Sequence, residues 1–192
     1  MRPEETDMMK ILPVGLALVV MPWTADAATY GFTQAGSSVK FFNKASLHGI
    51  DGTAKSFSGS LDTEAGTGKL SVSTANMTTH LGPRDTKMHE FCLETDKYPT
   101  ITLAVSSIDG GDALNAGQGS GTVTLKGTLT IRDVSKPVAI KTSYSFGDDG
   151  LSLSGRHDFK WTDFNVPDPS IIISRLYPEM NVQFKLQAKP SQ

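Results

Sequence analysis

Strict alternation of apolar and polar positions is the feature that most constrains the fold of this 192-residue chain. In one clear case, Ile101, Leu103 and Val105 are separated by single residues that would face the opposite side of a strand. A period of two is typical of a β-strand with one buried face and one exposed face. Eight such segments, bounded by turn-forming residues, are predicted at 30–42, 57–61, 70–73, 101–105, 123–131, 138–146, 151–155 and 180–186.

The number and spacing of these strands predict an all-β fold. Eight strands with hairpin-length connections are most stable when no sheet edge is left exposed. A closed antiparallel barrel of eight strands meets this need, and its interior can hold one small ligand. Gly59, Gly127 and Gly155 interrupt strand patterns and favour bulges or bends where a barrel curls. The alternation alone leaves both a barrel and a β-sandwich open.

One segment, at about 84–94, changes from the strand period to a helical one. Met88, Phe91 and Cys92 form a narrow apolar stripe on this predicted helix, and Pro83 suits its first turn. A helix this short is marginal in water by itself, so it has to pack against the rest of the protein. We therefore predict a helical lid over one end of the β-structure.

The N-terminus has the pattern of a secretory leader. An apolar run at 11–20 follows Lys10, and the small-x-small sequence at 25–27 is suited to signal peptidase. We predict a signal peptide at 1–27, a single domain at 28–192 and a periplasmic location. Because no later segment approaches about 20 consecutive apolar residues, the sequence predicts no permanent membrane anchor.

The charges of the leader and of the remaining chain bear on different questions. The leader begins with acidic residues although signal peptides usually begin with positive charge, so Met8 or Met9 is an alternative start to Met1. Of the 18 Lys/Arg and 20 Asp/Glu residues, two and four lie at 1–27, which leaves 16 of each. This balance predicts no nucleic-acid partner, because such proteins present a basic patch.

Motifs for catalysis or metal binding are missing from the sequence. Cys92 is the only cysteine, so an intrachain disulfide is excluded, and its place on the apolar stripe predicts a buried thiol. The four histidines have no paired spacing typical of a zinc site, and no Gly-x-Ser-x-Gly elbow occurs. We therefore expect no catalytic residue, no metal and no cofactor.

Several short motifs, taken in order, carry a resemblance to a known family. They are Arg-Asp at 84–85, Tyr-Pro-x-Ile at 98–101, Gly-Thr-Leu-Thr-Ile at 127–131 and Ser-Lys-Pro-Val at 135–138. In this order they resemble the YceI-like family of polyisoprenoid-binding proteins, over nearly all of the chain after the leader. The resemblance implies a lipocalin-like barrel with the helix near its mouth. It also implies a bound isoprenoid tail, as in polyprenyl phosphates or quinone-like lipids.

The chain departs from the family pattern in its turns. Asp133 and Asn165 stand where the family usually has glycine. Because aspartate and asparagine tolerate left-handed backbone better than other residues, both turns are expected to form. The segment at 167–173 has no clear counterpart, and its role, as a strand at the mouth or as a variable loop, stays open.

The inward phase of the strands and the helix stripe supply the candidate ligand contacts. They are Phe41, Met77, Met88, Phe91, Ile101, Leu103, Val105, Val123, Leu125, Leu129, Ile131, Val138, Ile140 and Tyr144, with Cys92 beside them on the helix. At each position, ordinary core packing is an equally good explanation. Arg84, His48 and His89 are candidate mouth residues. Arg84 either anchors the helix together with Asp85 or offers donors to a phosphate or carbonyl headgroup, and the structural role is favoured.

Three functions remain open at this point. A carrier or sequestering protein for a long-chain isoprenoid or other apolar lipid is favoured, and it predicts a continuous apolar tunnel. An enzyme acting on such a lipid requires a polar cluster with perturbed ionisation inside the barrel. A ligand-free stress or scaffold protein requires a barrel packed solid with side chains. The sequence leaves open whether two chains associate into a homodimer.

Overall fold

The computed structural model of the protein describes residues 29–170 and 175–191, so the predicted signal peptide at 1–27 and part of 167–173 lie outside the described residues. The described residues form ten β-strands in one antiparallel sheet. The strands are β1 (Thr29–Ala45), β2 (Gly49–Ala54), β3 (Phe57–Asp62), β4 (Thr67–Ser73), β5 (Met77–Thr78), β6 (Thr100–Asp109), β7 (Ser120–Ile131), β8 (Val134–Gly147), β9 (Gly150–Lys160) and β10 (Leu176–Pro190).

The sheet closes on itself because β10 pairs with both β9 and β1. The first half of β1 pairs with β3 and its second half pairs with β2, so β2 and β3 are two parts of one interrupted strand. β4 pairs with β3, and β5 pairs with β2, so β4 and β5 also form two parts of one interrupted strand. Counted in this way, eight strands form a closed antiparallel barrel, and the predicted fold is confirmed.

Local irregularities bend the strands into the barrel. The register between β1 and β10 shifts between Thr33 and Ser38. Ser106 is an extra residue in the pairing of β6 with β7. A Cβ at Gly127 would lie 2.0 Å from the carbonyl oxygen of Ala104, so the neighbouring strand approaches too closely for any side chain. The bend predicted from this glycine is therefore confirmed.

The predicted helix is present, but its second half is not an ordinary α-helix. It begins with α1 (Gly82–Lys87) and continues as a π-helix (Met88–Cys92), in which the amide of Leu93 donates to the carbonyl of Met88 at 2.9 Å. The other helical segments are α2 (Asp112–Asn115) and two 3₁₀ turns, Thr74–Asn76 and Trp161–Phe164.

The two turns with family departures behave differently. Asn165 is left-handed, with φ 53°, as the sequence predicted. The turn at Asp133 also forms, but its left-handed residue is Arg132, with φ 56°. Ile131 pairs with Val134, which makes a two-residue hairpin, and positive φ at its first central residue is typical of a type II′ turn.

The connections between strands alternate between two ends of the barrel. The closed end contains the connections 62–67, 109–120 and 147–150, and α2 is part of the second of these. Leu114 of α2 is 1% exposed and plugs this end. It packs in one cluster with other buried side chains from the ends of the strands, among them Tyr30, Leu61, Val123, Tyr144, Leu151, Leu153 and Ala188.

The open end is formed by the other connections, at 45–49, 74–99, 131–134 and 160–176. A second, smaller cluster lies there, in which Cys92 and Leu93 pack with Ile131 and Phe164. The π-helix and the 3₁₀ turn at Trp161–Phe164 therefore cover part of the open end, as predicted for a lid.

Candidate functional site

A cavity of about 640 Å³ occupies the half of the barrel next to the open end. It reaches the surface there, because the exposed residues His48, Leu81 and Pro83 are among those that line it. Its volume lies within the usual range for small-molecule sites, roughly 300 to 1,000 Å³. Its wall is mainly apolar and is contributed by all eight strand paths together with the helix.

Most of the predicted ligand contacts border this cavity. They are Phe41, Met77, Met88, Ile101, Leu103, Val105, Leu125, Leu129, Ile131 and Ile140, and Cys92 lines it as well. The strands bring these residues together because inward-facing side chains of neighbouring strands meet at the same height of the barrel. One example is Leu103, which pairs with Leu70 on one side and Leu129 on the other.

Two predicted contacts, Val123 and Tyr144, point inward but do not reach the cavity. They are 2% and 6% exposed and belong to the packed cluster at the closed end. The ring of Tyr144 lies edge-on to that of Phe146, at 6.1 Å between centroids. Alternation identifies the inward face of a strand, but it does not tell which half of the barrel is filled.

Phe91 and Val138 are also absent from the cavity wall. The wider turn of the π-helix rotates Phe91 off the face that carries Met88, and its side chain is 47% exposed. Val138 pairs with Gly127, beside the bulge at Ser106, and borders a shallow surface depression instead. Both placements correct the expectation that these residues face the interior.

Several lining residues were not among the candidates from sequence. They are Leu70, Val72, Phe159, Trp161, Met180, Val182 and Phe184. Met180, Val182 and Phe184 alternate along β10 in the same phase as its buried residue Leu186, so the alternation itself could have identified them. Phe159 was not predicted because the polar and charged residues His157 and Asp158 interrupt the apolar alternation near the end of β9.

The pair Arg84 and Asp85 fastens the helix to the barrel wall. The carboxylate of Asp85 accepts hydrogen bonds from the Thr78 hydroxyl at 2.6 Å, from the Thr79 amide at 2.6 Å and from the Thr79 hydroxyl. Arg84 donates through Nε to the Thr79 hydroxyl at 2.8 Å and through one terminal nitrogen to the Thr79 carbonyl. Although burial of Asp85 raises its pKa, these hydrogen bonds together lower it below the usual value. The favoured structural role of the pair agrees with this geometry.

The two predicted mouth histidines have different surroundings. His89 donates through Nε2 to the carbonyl of Met77 at 2.9 Å and does not line the cavity. This hydrogen bond ties the π-helix to β5. His48 is exposed at the turn between β1 and β2 and does line the cavity.

Polar groups among the lining residues are mostly used to hold the wall in place. The side-chain amide of Asn43 donates to the carbonyls of Tyr177 and Glu179, both at 2.9 Å, and Trp161 donates to the carbonyl of Tyr177 at 2.9 Å. His157 also lines the cavity, and its burial lowers its pKa below the usual value despite the opposing charge of Asp158. This imidazole is therefore held in its neutral form more firmly than one in water.

A third set of contacts joins the segments of the open end. The guanidinium of Arg132 pairs with Glu94 and donates to the carbonyl of Asn165 at 2.7 Å. It also lies over the ring of Tyr98, 5.4 Å from the centroid. Arg132, Glu94 and Asn165 all have positive φ, so one side chain links three strained turns.

The ionisable groups of the cavity offer little for catalysis. Among the described residues, the charged side chains that line it are basic, namely Lys69, Arg84 and Lys87. Burial raises the pKa of the Cys92 thiol to about 11, so this group stays protonated and is a weak nucleophile at neutral pH. No group of three His, Cys, Asp or Glu side chains in the described part of the chain is placed to hold a metal ion. In the same residues, no helix is long and apolar enough to cross a bilayer.

Comparison with known proteins gives one family and several similar structures. The sequence model of the YceI-like domain matches residues 30–188. No curated protein matches the chain significantly. Burkholderia cenocepacia BcnA superimposes with a TM-score of 0.70 at 19% identity, covering 82% of this chain and 99% of BcnA.

Two further structures have the same fold. A polyisoprenoid binding domain from Saccharophagus degradans, implicated in plant cell wall breakdown, gives a TM-score of 0.73 at 17% identity, covering 85% of this chain and 99% of that domain. The Campylobacter jejuni YCEI protein gives 0.59 at 20% identity, covering 74% of this chain and 85% of that protein. At these identities the structural likeness establishes the shared fold alone.

Proposed function

Because the chain belongs to the YceI-like domain family, we propose that it binds a long-chain isoprenoid or quinone-like lipid inside its barrel. In this proposal the protein is secreted through the leader at 1–27 and carries or sequesters the lipid in the periplasm. The observation that carries the proposal is the apolar cavity of about 640 Å³ in the open half.

The wall of the cavity suits a hydrocarbon tail better than a polar ligand. Leu103, Leu129 and Ile140 are typical of the side chains that surround it. Burial of each methylene group of a tail is worth about 0.8 kcal/mol, and a long isoprenoid contains many such groups. An apolar cavity offers water few hydrogen-bond partners, so a tail that enters it displaces little well-bound water.

The alternatives have less support. A ligand-free scaffold is expected to fill its barrel with side chains, and only the closed end is filled in this way. An enzyme is expected to hold a cluster of groups with perturbed ionisation in its site. In this cavity His157 and Cys92 are both held in their neutral forms, which favours binding over catalysis.

The proposal can be tested on protein isolated from its native periplasm. Native mass spectrometry, followed by organic extraction and lipid identification, is expected to reveal a stoichiometric isoprenoid or quinone lipid. A protein that is isolated empty and also refuses added polyprenyl and quinone lipids would contradict the proposal.

A matched pair of variants locates the bound lipid. Leu103→Trp places a larger side chain in the cavity, whereas Ala104→Trp adds the same side chain on the exposed face of β6. We expect Leu103→Trp to weaken lipid binding about tenfold or more, because it removes space and forces the tail against the wall. Ala104→Trp is expected to bind like the wild type. Equal affinities in both variants would place the lipid elsewhere.

A further inference from the structure

Within residues 29–170 and 175–191, large hydrophobic side chains are exposed at one end of the protein only. Among the described residues, these side chains are Leu47, Leu81, Phe91 and Tyr177, which are 68%, 52%, 47% and 44% exposed. We call these four residues the rim. Leu47, Leu81 and Phe91 lie in connections of the open end, and Tyr177 lies at the start of β10.

The rim surrounds the entrance to the cavity. Leu47 precedes His48, and Tyr177 follows Leu176, and both of these neighbours line the cavity. Leu81 lines the cavity itself. A path from the surface to the interior therefore passes exposed apolar side chains as well as the polar residues His48 and Lys87.

Phe91 completes the rim on the side of the helix. The ammonium group of Lys87, which lines the cavity, lies 5.7 Å from the centroid of the Phe91 ring. A cation beside an exposed aromatic ring is a combination that suits the headgroup region of a membrane, where the ring is buried and the ammonium group meets phosphate.

The two ends of the barrel differ in charge. The turns of the closed end, at 62–66, 109–119 and 147–150, contain six Asp or Glu residues and no Lys or Arg. One of these carboxylates, Asp109, is paired with Lys126 of β7. The connections of the open end contain seven acidic and six basic residues, so their charges nearly cancel. An anionic surface would therefore repel the closed end more strongly than the open end.

Two acidic groups near the entrance, Asp85 and Asp168, are engaged by neighbouring groups. Asp85 is held by Thr78 and Thr79. The positive charges of Arg175 and Lys87 act on Asp168 and contribute to its lowered pKa, after the larger effect of its hydrogen bonds with Ser170. The cavity wall itself adds only basic charged groups, as described above.

We propose that the rim is a docking surface for an anionic lipid bilayer, through which the tail of a lipid enters the barrel without crossing water. The inference rests on the proposed lipid binding and adds the place at which the ligand is loaded. Apolar rim side chains enter the interfacial region, Lys87 attracts lipid phosphates, and the acidic closed end points away from the membrane.

Vesicle flotation tests the docking surface. The protein is mixed with vesicles of phosphatidylcholine alone or of phosphatidylcholine with phosphatidylglycerol, at low and at high salt. We expect flotation with the anionic vesicles, weakened by salt because screening reduces the attraction of exposed charges. Failure of the wild type to float with either kind of vesicle would overturn the proposal.

The double variant Leu47→Ser/Phe91→Ser removes rim side chains that do not line the cavity. Its vesicle binding is expected to fall about tenfold or more, because two inserted apolar groups are lost. The control Asp148→Asn/Asp149→Asn changes the closed end and is expected to keep at least wild-type binding. A double variant that floats like the wild type would overturn the proposal.

Two further measurements separate docking from ligand binding and from self-association. Farnesol, a short isoprenoid dispersible in water, is titrated into the wild type and the rim variant, and equal affinities are expected. If farnesol binds but vesicles do not, docking fails while the proposed function stands; if neither binds, both fail.

If the wild type is a dimer that the rim variant converts to a monomer, with vesicle binding unchanged, the rim is covered by a second copy and the docking proposal is wrong.

Discussion

The closed and open ends of the barrel are built from the same strands, yet one is solid and the other is hollow. At the closed end, Leu114 of α2 inserts between the strands, and the rings of Tyr30 and Phe146 meet edge-on at 5.8 Å between centroids. At the open end, equally apolar residues such as Leu103 and Ile140 face the cavity. The difference shows that an apolar inward face does not by itself specify whether the interior of a barrel is filled.

The two ends also differ in the kind of interaction that stabilises them. Burial of apolar side chains dominates the closed end. The segments of the open end are held by directed polar contacts, chiefly those of Asp85 with two threonines and of Arg132 with Glu94 and Asn165. Such contacts fix the covering segments without filling the space beneath them, so the cavity can persist.

The largest effect is expected from truncation of a leucine at each end. Leu151, at the closed end, is 0% exposed, and Leu151→Ala should lower the free energy of unfolding by about 3 kcal/mol because it leaves a new cavity in a packed core. Leu103→Ala should cost only about 1 kcal/mol, because that side chain already borders the cavity. Urea unfolding of the ligand-free protein measures both values. Equal losses would mean that the open half is as tightly packed as the closed half.

A smaller loss is expected when the contacts of Arg132 are removed. Arg132→Ala breaks the ion pair with Glu94 and frees the carbonyl of Asn165. In this pair the side chain of Arg132 is 12% exposed and that of Glu94 is 37% exposed. We expect a loss of about 2 kcal/mol in the free energy of unfolding, since the pair is partly buried. Amide hydrogen exchange should increase at the open end while the closed end stays protected. A uniform increase over both ends would contradict a local role for Arg132.

Acid should weaken the open end through Asp85. Because its folded-state pKa lies below the unfolded value near 3.8, its stabilising effect is complete above that pH and is lost as the pH falls through the folded value. At neutral pH Asp85→Asn should be less stable than the wild type, and this difference should narrow at about pH 3. Urea unfolding at both pH values provides the test. A difference independent of pH would show that the charge of Asp85 is unimportant.

The smallest effect concerns His157, which lines the cavity. Burial lowers its pKa below the usual 6.5, so protonation of the unfolded chain should reduce stability as the pH falls from 6.5 towards the folded value. A lipid tail that fills the cavity removes more water from this ring and should lower the pKa further. NMR titration with and without bound lipid measures the change, and His157→Gln identifies the resonance. A pKa that rises on lipid binding would place a charged headgroup, rather than a tail, beside His157.

The sequence predicts the fold more completely than the site. Alternation at Leu103, Leu125 and Ile140 identified the inward face, and the close approach at Gly127 was foreseen from a glycine within a strand. The filling of the closed end was not predictable, because Leu114 lies in α2, between the predicted strands 101–105 and 123–131, where the sequence predicted no helix or strand. Its burial depends on contacts between residues that are distant in sequence.

The helix illustrates a second limit. A regular helical period placed Phe91 on the same face as Met88, whereas the π-helix rotates Phe91 off that face and exposes the ring. The choice between an α-turn and a π-turn follows from how the helix packs on the barrel, through contacts such as that of His89 with Met77. Local periodicity does not contain this information.

Methyl NMR of the delipidated protein, titrated with a polyprenyl or quinone lipid, tests the central claim most directly. If the hollow half holds the lipid tail, methyl resonances of Leu103, Leu129 and Ile140 will shift, while those of Leu114 and Leu151 will stay in place. Unchanged resonances throughout, or shifts confined to the closed end, would contradict the account.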